Sequence, residues 1–354
     1  MKGVLAYEIG GTNAKATAVN LDDSNFTIDN VICEPTVVGK DKGLEYIQQL
    51  ARIGDNALKF TNIKKSDLVG IGIGSPGPLN VNLGTVTPTN SEIGEVQIVE
   101  PLSSYFNVET ILGNDVGTAA LGSRDYGIGK GKDKPNIVVI TSGTGLGGGC
   151  IDKGKLIEGT DGNAYEIGHF VIDYSTDARH DACTKKNPTA KGHWEAYCSG
   201  THFAKWVVDE MMKKDVIELI PLMDSVNKKP MTINNLDNLN AKHVFDMYEK
   251  KDPFCLNMVE NFRQMHARGL GIVISTADPD YIILMGSMHI KSESAMLHEG
   301  PDGEKSQNYL AKLALEYCHP DFKFKPENLM ITPLGDKIGL YGAVVLGKEA
   351  ANKK

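Results

Sequence analysis

Apolar and polar positions divide this chain into short β-branched runs and longer helical patterns, and the order of these pieces repeats. Residues 4–8 and 14–21 read as two strands folded back about a glycine turn. Apolar residues recur at helical spacing over 43–59, and 68–74 then reads as a buried strand that ends in Ser75-Pro-Gly-Pro-Leu79. A short strand over 108–112 ends at Gly113-Asn-Asp115, and 116–126 carries a helical pattern. The second half restarts on the same scheme: a strand over 137–141, another glycine turn, a return strand over 148–152 and a Lys153-Gly154 hairpin turn. A helix is expected over 193–214, followed by a polar, Asn- and Lys-rich stretch over 216–252 with mixed signals. A long helix follows over 258–276, then the turn Asp278-Pro-Asp280 feeding a buried strand that ends at Gly286, and a small-residue helix begins within 335–347. Hairpin, strand and helix thus recur with little sequence identity, which predicts an α/β fold of two related lobes.

The two glycine turns carry the most specific chemistry. The first is Glu8-Ile-Gly-Gly-Thr-Asn-Ala-Lys15 and the second Thr141-Ser-Gly-Thr-Gly-Leu-Gly-Gly-Gly149. Glycines interleaved with Thr or Ser let backbone N–H groups converge on an anion without Cβ interference, so each turn is a phosphate cradle in outline. Neither is a GxxxxGK[ST] loop, nor a GxGxxG opening a helix after a strand; the pattern is strand, turn, strand.

Bulk properties narrow the partners. At 354 residues the chain suffices for two compact domains sharing a cleft. A formal charge of −8 and a pI near 5.6 argue against a broad nucleic-acid-binding surface, while a small anionic ligand needs only local donors. The first residues enter a strand pattern at once and no 18-residue apolar run follows, so a soluble, cytoplasmic protein with no membrane partner is expected. Six scattered cysteines suit reduced thiols.

An ordered set of motifs joins the turns: Gly10-Gly-Thr12, Gly72-Ile-Gly-Ser-Pro-Gly77, Gly113-Asn-Asp115, Ser142-Gly-Thr-Gly-Leu-Gly-Gly148, Glu166-Ile-Gly-His169, Gly192-His-Trp-Glu-Ala-Tyr-Cys-Ser-Gly200, and Asp278-Pro-Asp280 ahead of Gly286-Ser287. With them the chain resembles the ROK family (repressors, open reading frames and sugar kinases) of the actin-like ATPase superfamily, from about Gly3 to Gly347. The resemblance implies two actin-like ATPase (RNase H-like) lobes with a ligand cleft between them. Residues 1–115 would form the first lobe and 116–335 the second, with a helix over 336–354 packing back on the first. It implies an ATP-dependent hexokinase of glucokinase type that phosphorylates the 6-hydroxyl of a hexose, glucose first. Fructose, mannose, N-acetylglucosamine and N-acetylmannosamine are the alternatives within the family, whose members are often homodimers.

Carried onto this sequence, the resemblance makes Asp115 the general base and Asn114 a sugar contact; on residue type alone, Asn-Asp reads equally as a helix N-cap. Glu166, His169 and Glu195 match the family's sugar-binding set, and carboxylates with an imidazole suit a polyol because they share several hydroxyl hydrogen bonds. Without the flanking glycine turns they would read as solvated charges and a structural histidine. Ser75, Gly77 and Asn90 would line the sugar pocket from the first lobe, Pro88-Thr-Asn90 being an inexact match, although Ser75-Pro-Gly-Pro78 is also a turn former. Glu8, Gly10, Gly11, Thr12, Asn13 and Lys15 would serve the first phosphate loop, Thr144 and Gly145 the second, with Gly286 and Ser287 near the adenosine. ATP with Mg²⁺ is the implied donor, and Glu8 departs from the family's usual Asp.

Many relatives hold a structural zinc through a Cys-rich segment and the His of Glu-x-Gly-His. Here one cysteine remains, and His169, His180, Cys183 and His193 would make a CysHis₃ set acceptable to tetrahedral Zn²⁺. The alternative is a loop that has lost its metal. Two other classes compete with a kinase: a sugar-responsive regulator, which would carry a helix-turn-helix ahead of the first strand, and a sugar-binding protein without turnover.

Overall fold

The computed structural model describes residues 1–37, 43–88, 94–181, 187, 189–214, 236, 238–298, 300 and 308–353. Asn90, Cys183 and most of the polar stretch 216–252 lie outside them. The strands are β1 (Gly3–Ile9), β2 (Asn13–Asn20), β3 (Ile32–Pro35), β4 (Leu68–Ser75), β5 (Leu79–Asn80), β6 (Thr85–Val86), β7 (Val96–Gln97), β8 (Thr110–Asn114), β9 (Ile137–Ser142), β10 (Leu146–Asp152), β11 (Lys155–Leu156), β12 (Tyr281–Met285) and β13 (Leu329–Ile331). The helices are α1 (Leu44–Phe60), α2 (Val99–Phe106), α3 (Asp115–Asp125), α4 (Glu195–Cys198), α5 (Gly200–Lys214), α6 (Ala241–Glu249), α7 (Pro253–Ala277), α8 (Ser287–Lys291), α9 (Tyr309–Glu316) and α10 (Ile338–Ala351). None of the described helices is long and apolar enough to cross a membrane.

Two five-stranded sheets share one plan. The first runs β3-β2-β1-β4-β8 and the second β11-β10-β9-β12-β13, so each has a three-strand meander continued by two later strands. In the first sheet β1 pairs antiparallel with β2, Ile9 opposite Ala14, and parallel with β4, which pairs parallel with β8. Strands β5, β6 and β7 form a separate small sheet. The chain divides into two compact units, one of residues Met1–Val139, Gly149–Tyr165 and Thr332–Lys354, the other of Ile140–Gly148 and Glu166–Ile331.

The alternation of β1 fills two faces of the first unit. Leu5, Tyr7 and Ile9 enter a core with Tyr46, Leu50, Ile53 and Ala57, the apolar stripe of α1. Tyr7 also donates a 2.9 Å hydrogen bond to the Leu50 carbonyl. Val4 and Ala6 face the other way, against Leu340, Ala343 and Val344 of α10. Helix α10 reaches backbone contact with its neighbours: a Cβ on Gly342 would lie 1.7 Å from the Thr118 carbonyl oxygen of α3, and one on Gly72 of β4 would lie 1.9 Å from that of Ala343.

The helix expected over 193–214 is broken. α4 stops at Cys198, Ser199 is extended (φ −85°, ψ 154°), and α5 begins at Gly200. Hydrogen bonds to the second glycine turn fix the break: Gly200 N–H donates to the Gly143 carbonyl at 2.7 Å, and Ser142 Oγ donates to the Cys198 carbonyl at 2.6 Å. Neither bond is visible in local spacing, so sequence alone joins the two helices.

Candidate active site

The first glycine turn joins β1 to β2. Gly10 N–H donates to the Asn13 carbonyl at 2.8 Å, and Thr36 braces the turn from outside through its Oγ1 to Gly10 O (2.7 Å) and its N–H to Thr12 O (2.9 Å). Gly11 is half-buried, and the Thr12 and Asn13 side chains are exposed at the tip. Glu8, at the end of β1, accepts a 3.1 Å hydrogen bond from Lys15 Nζ at Oε1; Lys15 also reaches the Asp336 carbonyl at 3.4 Å. The other Glu8 oxygen, Oε2, is enclosed without a hydrogen-bond partner, and a Cβ on Gly339 would lie 2.9 Å from it. Burial raises the Glu8 pKa, with Lys15 opposing it. One Glu8 oxygen thus meets an ammonium, and the other is enclosed against α10.

Strands β4 and β8 end side by side, Ser75 opposite Asn114. Ser75 is buried, its Oγ donating to its neighbour Pro76 O at 3.3 Å. The turn through Gly77 is held by Asn163, whose amide donates to Leu79 O at 2.8 Å and whose Oδ1 faces Leu79 N at 3.4 Å. Asn114 caps α3: its Oδ1 accepts from Val116 N (3.0 Å) and Gly117 N (3.1 Å). Asp115 is the first helical residue, half-buried, with Oδ1 accepting from Val116 N at 2.9 Å. The cap of α3 therefore falls to Asn114, and Asp115 stands next to it at the start of the helix.

In the other unit, the turn between β9 and β10 closes with Gly143 N–H on Gly145 O at 2.9 Å, leaving Thr144 exposed. Glu195, the first residue of α4, supports it: Oε2 accepts from Leu146 N at 2.9 Å, and a Cβ on Gly145 would lie 2.7 Å from the same oxygen. Burial raises the Glu195 pKa most; the Leu146 N–H and then His169 pull it back, while Asp181 and Glu166 add to the rise. The folded state thus holds the Glu195 proton to higher pH than the unfolded chain, so this group's contribution to stability is greatest at acid pH and is lost as pH rises through its folded value. Glu195→Gln keeps an acceptor for Leu146 N but has no proton to lose. Urea unfolding from about pH 4 to about pH 7 should show a smaller decline than in the parent protein.

Glu166, just before a short 3₁₀ turn, and His169, its last residue, are exposed. His193 Nδ1 lies 2.6 Å from Asp181 Oδ2 and His169 Nδ1 3.8 Å from it, and the two imidazoles meet edge to face at 5.3 Å. Ligand atoms of His169, Asp181 and His193 all fall within 4.8 Å of one another. His180 is exposed and outside this grouping; its neighbour Asp181, fully buried as a side chain, takes the place expected of it. The fourth expected ligand, Cys183, lies outside the described residues. Two imidazoles and a carboxylate suit zinc as donors, although the His193–Asp181 contact as it stands is a direct hydrogen bond.

A cavity of about 650 Å³ opens beside the second turn, lined among others by Gly143, Thr144, Gly200, Lys205, Phe245 and Ser287. Glycine is required at position 286, just before Ser287: φ is +88°, and a Cβ would lie 2.3 Å from the Ser142 carbonyl oxygen. Sequence reasoning missed Asn163, Asp181 and the bracing role of Glu195. Asn163 and Asp181 sit in polar loops with no periodic or motif signal; the Glu195–Leu146 pairing spans 49 residues.

The ROK family model matches residues 4–350. A glucokinase from Thermotoga maritima is 27% identical over 348 residues, covering 98% of this chain and 97% of its own. The ROK hexokinase from Thermus thermophilus has the same fold with a TM-score of 0.73 at 19% identity, covering 99% of this chain and 100% of that one. A ROK family glucokinase from Streptomyces griseus, solved with glucose and AMPPNP, gives 0.73 at 22% identity, covering 98% and 99%. A match that begins in β1 and ends within α10, over a doubled sheet with a glycine turn in each hairpin, means that the chain belongs to the ROK family.

Proposed function

We infer that the chain is an ATP-dependent sugar kinase that transfers the γ-phosphoryl group to the 6-hydroxyl of a hexose, glucose first. The observation that carries this reading is Glu195: a residue of the proposed sugar-binding set supports the second glycine turn, its Oε2 accepting from Leu146 N at 2.9 Å. A glycine turn of the phosphate-cradle type and one residue of the proposed sugar-binding set are thereby joined. The relative named a glucokinase supports the same reading.

In this mechanism Asp115 accepts the proton of the sugar hydroxyl as that oxygen forms its bond to the γ-phosphorus and the bond to ADP breaks. Asp115 stands at the first position of α3, and the Asn114 amide NH₂, whose oxygen is committed to the cap, is a donor for a neighbouring sugar hydroxyl. Glu166, His169 and the second Glu195 oxygen orient the ring. Thr144 and the Gly143–Gly145 backbone receive phosphates, and Ser287 borders the adenosine cavity. A divalent cation bound with ATP would supply neutralisation of charge on the phosphate oxygens. His169, Asp181 and His193 would hold a structural Zn²⁺ that stiffens the sugar-binding segment.

The test is coupled ADP release across glucose, mannose, fructose, N-acetylglucosamine and N-acetylmannosamine. Glucose is expected to give the highest kcat/KM. Thermal stabilisation by a sugar with no ADP above background would instead make the chain a sugar-binding protein without turnover. Metal analysis of the same protein, purified without chelator, is expected to find zinc; its absence would leave the His–Asp–His group as a hydrogen-bonded triad.

A further inference from the structure

Behind the second glycine turn the structure buries two histidines that the mechanism does not use. His266 of α7 and His289 of α8 are fully enclosed, with rings stacked at 5.1 Å and 20°. Trp194 Nε1 donates to His266 Nδ1 at 2.9 Å, His266 Nε2 meets His289 Nε2 at 3.0 Å, and His289 Nδ1 meets the Met285 carbonyl at 2.8 Å. An indole nitrogen only donates and a carbonyl only accepts, so the ring protons have one consistent arrangement. His266 carries its proton on Nε2 and donates it to His289, which carries its own on Nδ1 and donates it to Met285. Burial, and for His266 the neighbouring imidazole, lowers both pKa values, His289 to about 4, and keeps the rings neutral.

Both ends of this chain of bonds arrive at the candidate site. Trp194 immediately precedes Glu195 and is buried over Gly269, where a Cβ would lie 2.2 Å from the indole. Met285 immediately precedes Gly286 and Ser287. The circuit closes through Gly286 against Ser142 and through Ser142 Oγ to Cys198 at the other end of α4. We propose that His266 and His289 are positioning residues, which through a single proton arrangement hold the Trp194–Glu195 segment and the Met285–Ser287 segment in one geometry around the second glycine turn. Neither histidine touches substrate in this account; each sets where substrate-binding groups stand. The kinetic half of the proposal rests on the kinase reading above.

The test pairs kinetics with spectroscopy. His266→Leu removes both bonds at once and leaves the Trp194 N–H and His289 Nε2 unpaired. It should raise KM for glucose and for ATP together, each about tenfold, with a much smaller change in kcat. His266→Gln, which retains an acceptor and a donor, should recover most of both effects. Trp194→Phe, which removes only the N–H, should add little to His266→Leu in the double variant. Both KM values unchanged in folded His266→Leu, or a double variant that multiplies the two effects in full, would overturn the proposal. Long-range ¹H–¹⁵N spectra of the wild-type protein supply a readout that needs neither turnover nor a stable variant. His266 should be the Nε2–H tautomer and His289 the Nδ1–H tautomer; the same tautomer in both, or a charged ring, sinks the relay. Absence of turnover in the wild type would remove the kinase reading and leave the tautomers to decide the relay.

Discussion

Asp115→Asn should lower kcat for hexose phosphorylation by about 10²- to 10⁴-fold, the range for loss of a general base, with little change in KM for the sugar. The substitution is nearly isosteric and keeps an oxygen for the Val116 N–H that Asp115 now accepts at 2.9 Å. The cap of α3 belongs to Asn114 and is untouched, so thermal stability should hold within a few degrees. Coupled ADP release measures the rate and thermal unfolding checks the fold. Turnover within about threefold of wild type would remove Asp115 from the role. Asn114→Ala gives the complementary pattern, since loss of the cap costs about 1 kcal/mol of stability before any effect on sugar contact.

The largest effect on stability is expected from Gly342→Ala. Its Cβ would fall 1.7 Å from the Thr118 carbonyl oxygen and 3.0 Å from Thr118 Cγ2, and both groups belong to a helix that cannot yield locally. Overpacking a rigid contact of this kind costs about 3 kcal/mol. Helices α3 and α10 must separate, and α3 carries Asp115 at its first position. The variant should therefore lose both midpoint in urea and kcat in the fraction that remains folded. Gly335→Ala offers a control of another kind: nothing lies within 4 Å of its Cβ, and only the positive φ of +59° opposes the side chain. A Gly342→Ala variant as stable as that control would mean that α10 does not approach α3 as closely as described.

Hydrophobic spacing made most of the elements legible. Strands β1, β2 and β4, helices α1 and α7, and the hairpin between β9 and β10 lie close to where the apolar pattern puts them, because strand and helix periods are local properties. Both glycine turns were legible for the same reason. The break at Ser199 was not: its cause is a pair of hydrogen bonds from Ser142 and to Gly143, more than fifty positions away along the chain. In the Asn114-Asp115 pair, residue type alone left open which side chain caps the helix, since either can; Asn114 Oδ1 facing two backbone N–H groups assigns the cap to Asn114.

By itself, then, the sequence determined a doubled α/β plan, two hairpin glycine turns and the polar residue types available beside them. The tertiary structure decided which of those residues meet. It set Asp181 rather than His180 against His169 and His193, turned a Glu195 carboxylate oxygen onto Leu146, closed Glu8 onto Lys15 and joined His266 to His289. The reason is that a strand or helix is specified by neighbours within a few positions, whereas a buried polar group is specified by the partner that satisfies it. Nothing in local spacing ranks one distant partner above another.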